Sequence, residues 1–164
     1  MTHSLVRTRI ESPIGPLTIV ADGAALIGLY FADHSKGGPP PSRDGESAVF
    51  DAARRQLDFY FTGRRRAFEA QLAPRGTPFQ LHVWALLQRI GYGETTTYGA
   101  LAAEMGRPSA VRAVAGAVAR NPIGIIIPCH RVIGADGRLT GFAGGLERKE
   151  ALLAIEQGGR LALA

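Results

Sequence analysis

The 164-residue sequence has one cysteine, Cys129, one tryptophan, Trp84, and only two lysines, Lys36 and Lys149. A lone cysteine excludes an internal disulfide, and it also excludes the several thiolates of a cysteine-rich zinc module. No run of 18 apolar residues occurs, so no helical membrane span is expected. The opening Met1-Thr2-His3-Ser4-Leu5-Val6-Arg7 lacks the positive stretch followed by an apolar stretch that marks a secretory signal. No repeat at a spacing of 20–50 residues is visible. These absences lead to the expectation of a soluble, reduced, cytoplasmic protein that needs no metal or disulfide, since a chain of this length buries roughly 68–70% of its unfolded surface.

What the sequence does have is arginine. Seventeen arginines face fourteen acidic residues, giving a net charge of +5 and a pI near 10. That balance suits a polyanionic partner, because basic side chains neutralise phosphates and release counterions. Richness in Arg, Ala and Gly also follows from nucleotide bias in a gene, so charge alone does not identify the partner.

Three short runs, residues 5–10, 16–20 and 26–31, read as strands of an antiparallel meander, separated by the turn signals Ser12-Pro13-Ile14-Gly15 and Asp22-Gly23. Residues 35–45, with Gly37-Gly38-Pro39-Pro40-Pro41, are expected to form a mobile surface loop. Over residues 46–62 the apolar positions Val49, Phe50, Ala53, Leu57, Tyr60 and Phe61 recur at helical spacing, with Gly63 as the residue just past the end. Arg64-Arg65-Arg66 reads as a solvated turn or as a phosphate clamp.

Beyond residues 72–76 the pattern changes to helices. Thr77 and Pro78 are suited to cap and open a core helix over residues 78–90, in which Trp84 packs. A short helix over 97–105 ends at Gly106, and another over 110–120 stops where Asn121 precedes Pro122. Helix, tight glycine turn, helix is the outline of a helix-turn-helix. Its second helix carries Ala110, Ala113, Ala115, Gly116, Ala117 and Ala119, with Arg112 and Arg120 as its charges. Small side chains of this kind serve either close approach to a groove or close packing on neighbouring helices.

Cys129 lies in Ile123-Gly124-Ile125-Ile126-Ile127-Pro128-Cys129-His130-Arg131-Val132-Ile133. The apolar run reads as a buried strand whose ladder Pro128 ends, with Cys129 and His130 emerging at the edge of the core. A buried free thiol can simply pack. An adjacent imidazole is also a standard means of generating a nucleophilic thiolate, and here it would act through a water with a carboxylate behind it. A hairpin is expected across Gly134-Ala135-Asp136-Gly137-Arg138, joining 132–133 to 139–140. A final helix follows over 146–157, and spacing alone does not decide which of its carboxylates reaches His130. His3, His34 and His82 read as surface or packing residues.

Together these residues resemble the O6-alkylguanine-DNA alkyltransferases, the methylated-DNA–protein-cysteine methyltransferases. The resemblance rests on Ile127-Pro128-Cys129-His130-Arg131-Val132, Tyr92-Gly93-Glu94, Thr97-Tyr98-Gly99, Arg112-Ala113-Val114, Asn121-Pro122, Gly144-Gly145 and Glu156, and it runs from about residue 77 to 156. It implies an α+β fold. Residues 1–72 would form a small antiparallel sheet with one helix, ribonuclease H-like, followed by a linker at 73–77. Residues 78–164 would form a mostly helical, winged-helix-like domain bearing the active cysteine.

The resemblance further implies a monomer that binds duplex DNA in the minor groove, without any cofactor or metal. It would flip O6-alkylguanine, and O4-alkylthymine, out of the stack and move the alkyl group irreversibly to Cys129. His130 would act as base through water, Glu156 would orient it, Asn121 would brace the turn, and Tyr98 would crowd the phosphate and protonate guanine N3. Arg112 would fill the gap in the stack, on a surface shared with Tyr98, Ala110, Ala113 and Gly116. Carbonyls of Cys129 and Val132 would accept from the guanine amino group, and Val132, Phe142, Ala143 and Val118 would wall the pocket. Phe142 stands where many members have tyrosine, Ala143 where serine is common, and Val111 where alanine is usual. The absence of further cysteines leaves out the regulatory forms of the family. Relatives that flag lesions without reacting lack the acceptor cysteine, and are the alternative.

Overall fold

A computed structural model describes residues 4–34 and 37–158. The second and third strands are buried along most of their length, with Leu17, Ile19, Leu29 and Phe31 in the main core and Val20, Ile27 and Tyr30 in a separate cluster. β1 (Val6–Ile10), β2 (Leu17–Asp22) and β3 (Ala25–Phe31) form the expected antiparallel meander, with Ile10 opposite Leu17 and Leu17 opposite Phe31. The proline-rich segment departs from expectation. Its end forms a two-residue strand, β4 (Arg43–Asp44), parallel to β1, so the sheet is mixed, in the order β3-β2-β1-β4. The outer edge of β1 offers unpaired carbonyls, and the Arg43 and Gly45 amides take them at 3.1 Å each, on Leu5 and Arg7. Pro39, Pro40 and Pro41 have no amide to give, and they precede the pairing. Ser35 and Lys36 of the expected loop lie outside the described residues.

One helix covers the sheet. α1 (Ala48–Phe61) starts at Ser47, whose side chain accepts from the Val49 amide, and buries the six apolar residues named above. Gly63 follows it at φ +75, as the pattern predicts. The second half is helical. α2 (Pro78–Leu87) opens on a capping box between Thr77 and Gln80; α3 (Tyr98–Glu104) is capped by the Thr97 hydroxyl; α4 (Val111–Ala119) follows the Gly106 turn, where φ is +72. α4 turns Val114, Ala117 and Val118 inward and leaves Arg112, Ala113, Gly116 and Arg120 exposed. From beneath, the fully buried Trp84 of α2 donates its indole N–H to the Ala117 carbonyl at 2.8 Å. Trp84 therefore sets the height of α4 as well as packing.

Two expectations fail in the stretch around the cysteine. Residues 123–127 are not a strand. Ile123 makes only an isolated bridge to Leu29, and the chain then turns, with Ile125 at φ +70 and the Ile127 amide on the Ile123 carbonyl at 2.9 Å. Ile123, Ile125 and Ile127 are all buried, so the apolar run reports burial, and the Asn121 side chain takes the place of a ladder. Pro128 accordingly ends no strand, and Cys129–Arg131 form a single 3-10 turn. The expected hairpin is also absent. Its turn exists, Gly134 N–H to Arg138 carbonyl at 2.9 Å, but β6 (Val132–Ile133) pairs in parallel with β5 (Thr96–Thr97) instead. α5 (Leu146–Glu156) closes the described chain.

A continuous apolar core runs from Leu17, Leu29 and Phe50 through Val83 and Leu101 to Val132 and Leu152. Polar clasps supplement it. Arg148 of α5 donates to the Ile14 carbonyl at 2.8 Å, pairs with Asp33, and lies 5.5 Å from the Phe31 ring centre. Among the described residues no helix is long and apolar enough to cross a membrane.

Replacing Trp84 by Phe removes the indole bond to the Ala117 carbonyl, which keeps the Arg120 amide at 3.2 Å. The expected loss is about 0.5–1.5 kcal/mol, read as a lower urea midpoint at unchanged slope.

Candidate active site

The nucleophile candidate is placed by backbone bonds. Its amide donates to the Ile127 carbonyl at 2.8 Å, and its carbonyl accepts from the Val132 amide across the 3-10 turn. Asn121, at the end of α4, grips the preceding turn with both ends of its amide: Nδ2 donates to the Ile127 carbonyl at 2.7 Å, and Oδ1 accepts from the Ile123 amide at 3.0 Å. Cys129 is only 8% exposed. Burial pushes its thiol above the usual range, while the Asn121 amide and the charge of Lys149 draw it back.

Behind the cysteine stands a buried carboxylate. Glu156, in the last turn of α5, presents Oε2 to His130 Nε2 at 2.6 Å and accepts the Tyr60 hydroxyl at 2.6 Å on the same oxygen. Its Oε1 accepts Arg131 Nε at 2.7 Å, and Arg131 Nη2 reaches Oε2 at 3.1 Å. The Gly93 amide points at Oε1 from 3.4 Å. Gly93 has φ +79, and a Cβ there would lie 3.1 Å from the Glu156 carbonyl, so this approach requires glycine.

Burial by itself would raise the Glu156 carboxyl, but the bonds from His130, Arg131 and Tyr60 together outweigh it and hold the group at about 2. An ionised Glu156 makes His130 Nε2 the donor and leaves Nδ1 as an acceptor. Nδ1 is buried and has no partner among the described residues, and thiol and imidazole share no direct hydrogen bond. Burial keeps His130 below its usual value, more than its glutamate raises it. The imidazole is therefore neutral at pH 7 and free to take a proton at Nδ1.

Around this centre lie the other expected residues. Val132 is fully buried, and Phe142 and Ala143 are half-buried, Phe142 resting on Phe31 at 5.4 Å between ring centres. Gly144 is required between them: a Cβ would lie 2.6 Å from the Phe31 ring. Tyr98 opens α3, and its hydroxyl accepts from Thr140 at 3.1 Å. Arg112, Ala113 and Gly116 share the exposed face of α4, Ala110 stands at its N-cap, and Val118 points into the core. His34 packs, stacked 6.0 Å from Phe31, His82 is exposed, and His3 lies outside the described residues.

Three members of the site have no role in the sequence reading. Arg131 is hidden in the motif itself. Tyr60 reads as one more aromatic on the inner face of α1. Lys149 is fully buried, and its ammonium donates to the Val132 carbonyl at 2.5 Å and the Thr140 carbonyl at 2.8 Å. A signal existed for Lys149: it occupies an inward position of α5, in step with Leu152 and Glu156, where a charge is out of place.

Comparison with known proteins accords with this geometry. The family model for the ribonuclease-like domain of 6-O-methylguanine DNA methyltransferase matches residues 5–74, and the model for its DNA-binding domain matches residues 78–158. The chain belongs to the 6-O-methylguanine DNA methyltransferase family. A methylated-DNA–protein-cysteine methyltransferase of Methanosarcina acetivorans is 49% identical over 150 residues, covering 89% of this chain and 94% of that protein. Its counterpart in Haemophilus influenzae is 45% identical over 157 residues, covering 94% and 87%. The crystal structure of Mycobacterium tuberculosis OGT in complex with DNA superposes with a TM-score of 0.89, at 44% identity and 96% coverage of both chains.

In this member of the methyltransferase family the carboxylate cluster should be visible in acid unfolding. The folded-state value of Glu156 is about 2, below the ordinary 4.5. Its contribution is thus complete above about pH 4.5 and vanishes as pH falls through about 2, an effect of roughly 3 kcal/mol. Urea midpoints measured from pH 7 to 2 should show this slope, and Glu156→Gln should flatten it. Tyr60→Phe should cost about 1.5–3 kcal/mol at pH 7 with the same probe.

Proposed function

We propose that this protein repairs duplex DNA by accepting the alkyl group of O6-alkylguanine, and of O4-alkylthymine, on Cys129 in one irreversible turnover. The observation that carries the reading is the buried Cys129-His130-Glu156 arrangement, with a neutral imidazole whose Nε2 is held at 2.6 Å by an ionised carboxylate. A thiol pushed up by burial is inert towards most reagents and becomes a nucleophile only when a base removes its proton. That suits a group that must be spent once.

In the proposed step the thiol proton passes through a water to His130 Nδ1, and the sulfur forms a bond to the alkyl carbon. The bond from that carbon to O6 breaks, and its electron pair stays on the guanine. The guanine takes one proton at N3 from the Tyr98 hydroxyl and stays in its strand as an uncharged base; the proton held on His130 passes through solvent to restore Tyr98, and Cys129 ends as a thioether, so the proton count closes. Asn121 keeps the turn rigid, and the Cys129 and Val132 carbonyls, with Phe142, Ala143 and Val118, receive the base.

The exposed face of α4 supplies access. Ala113 and Gly116 let its backbone lie close in a minor groove, whose degenerate pattern suits a protein that must work in any sequence. Ala110 and Tyr98 flank the target phosphate. Arg112 enters the stack where the base was, offsetting an extrusion cost of a few kcal/mol. The protein acts as a monomer on DNA in the cytoplasm.

Incubation with a duplex carrying O6-methylguanine should add one methyl to the peptide containing Cys129, seen by intact and peptide mass, and Cys129→Ala should stay unmodified. An unmodified wild-type protein that still binds the duplex would point to a lesion-flagging protein and overturn the reading. Arg112→Ala should slow repair of the duplex at least tenfold more than reaction with free O6-methylguanine base, in single-turnover rates. Equal losses on both would remove Arg112 from the stack.

A further inference from the structure

Lys149 is a buried cation of unusual standing. Arg131 has Glu156 for a counter-charge, but among the described residues no carboxylate pairs with Lys149. Among the described residues its ammonium is received by the Val132 and Thr140 carbonyls alone. Taking an ammonium out of water is costly unless its surroundings offset the lost hydration, and two carbonyls offset little of it. Burial accordingly pulls its pKa down to about 8. A methionine or leucine would fill the same inward position of α5 without that cost, so the charge answers a need other than packing.

The two carbonyls show what the need is. Val132 ends the turn that carries the nucleophile, and its own amide closes that turn on the Cys129 carbonyl. Thr140 stands at the far end of the loop that continues into Phe142 and Ala143. Between 132 and 140 the backbone is pinned to itself only by the Gly134–Arg138 turn. One ammonium therefore holds both ends of the pocket loop and ties them to α5. A carbonyl oxygen has two lone pairs. The Val132 oxygen gives one to Lys149, which fixes its direction and leaves the other for a second donor.

We propose that Lys149 is a positioning residue for the alkyl transfer: its ammonium aims the Val132 carbonyl and holds the Thr140 end of the loop, so that the free lone pair of Val132 meets the exocyclic amino group of the flipped guanine. This rests on the reading of Cys129 as the acceptor. It makes Lys149 a determinant of base identity without touching the base, because a carbonyl held in place rewards a purine that carries the amino group and a carbonyl set loose does not.

The test compares two duplexes, one with O6-methylguanine and one with O6-methylhypoxanthine, which lacks only the amino group. The wild-type protein should react with the first at least tenfold faster in single-turnover rate constants. In Lys149→Met the rate on O6-methylguanine should fall at least tenfold and the ratio between the two substrates should shrink to threefold or less, while affinity for undamaged duplex stays within twofold. A general loosening of the fold would slow both substrates alike and keep the ratio; that result, or no slowing, overturns the proposal. Should the methionine variant not fold, by circular dichroism, Lys149→Gln takes its place. Its single amide is too short to serve both carbonyls, so a collapsed ratio supports the proposal and a ratio within twofold of wild type refutes it. If the wild-type protein accepts no methyl from either duplex, it is the acceptor reading that has failed.

Discussion

One buried carboxylate holds this site together. Glu156 receives His130, Arg131, Tyr60 and the Gly93 amide, and these come from the 3-10 turn, α1, and the loop after α2. A carboxylate in an apolar interior survives as an anion only if nearly every lone pair is used, so each donor is a condition for the charge and the charge is a condition for the orientation of His130. Arg131 binds further, to the Ile90 carbonyl at 2.6 Å, and so anchors the loop that brings Gly93 into place. The nucleophile turn, the final helix and the sheet-covering helix meet at two oxygen atoms.

Against that fixed background the thiol is left unactivated. Burial raises it, the imidazole beside it is neutral, and no direct bond joins them. The arrangement prepares a proton acceptor and withholds the thiolate. Catalytic sites that turn over many times generally lower the cysteine pKa in the resting state; a protein whose product is its own inactivation has more reason to keep the thiol quiet until the correct base is seated.

The elements with strong local signals were readable from the sequence alone: the meander from its turns, α1 and α2 from their caps and spacing, the helix-turn-helix outline from Gly106 and Pro122. Cys129 and His130 stood out as a pair, whereas Glu156 emerged only by resemblance to a family, because 26 residues separate it from His130 and no spacing rule bridges them. Three things misled or stayed silent. The isoleucines at 123–127 carry β propensity, yet a single asparagine side chain holds them in a turn. The Val132 strand had two partners on offer and took the distant Thr96-Thr97 over its own continuation. Tyr60 and Arg131 are polar groups in apolar company, and nothing in a one-dimensional pattern says that both end on Glu156; the inward position of Lys149 signals its burial and not the two carbonyls it serves.

The matched family segments divide the chain between residues 74 and 78, as though the first part were an accessory. The Tyr60 hydroxyl says otherwise, because it crosses that division to rest on Glu156. A fragment beginning at residue 78 would keep the nucleophile turn and Glu156, yet it would lose a donor that helps keep the carboxylate charged, together with the Leu29–Ile123 bridge and the grip of Arg148 on Ile14 and Asp33. The first part is thus a working component of the proton acceptor, and cutting the chain where the families divide would cut through the site.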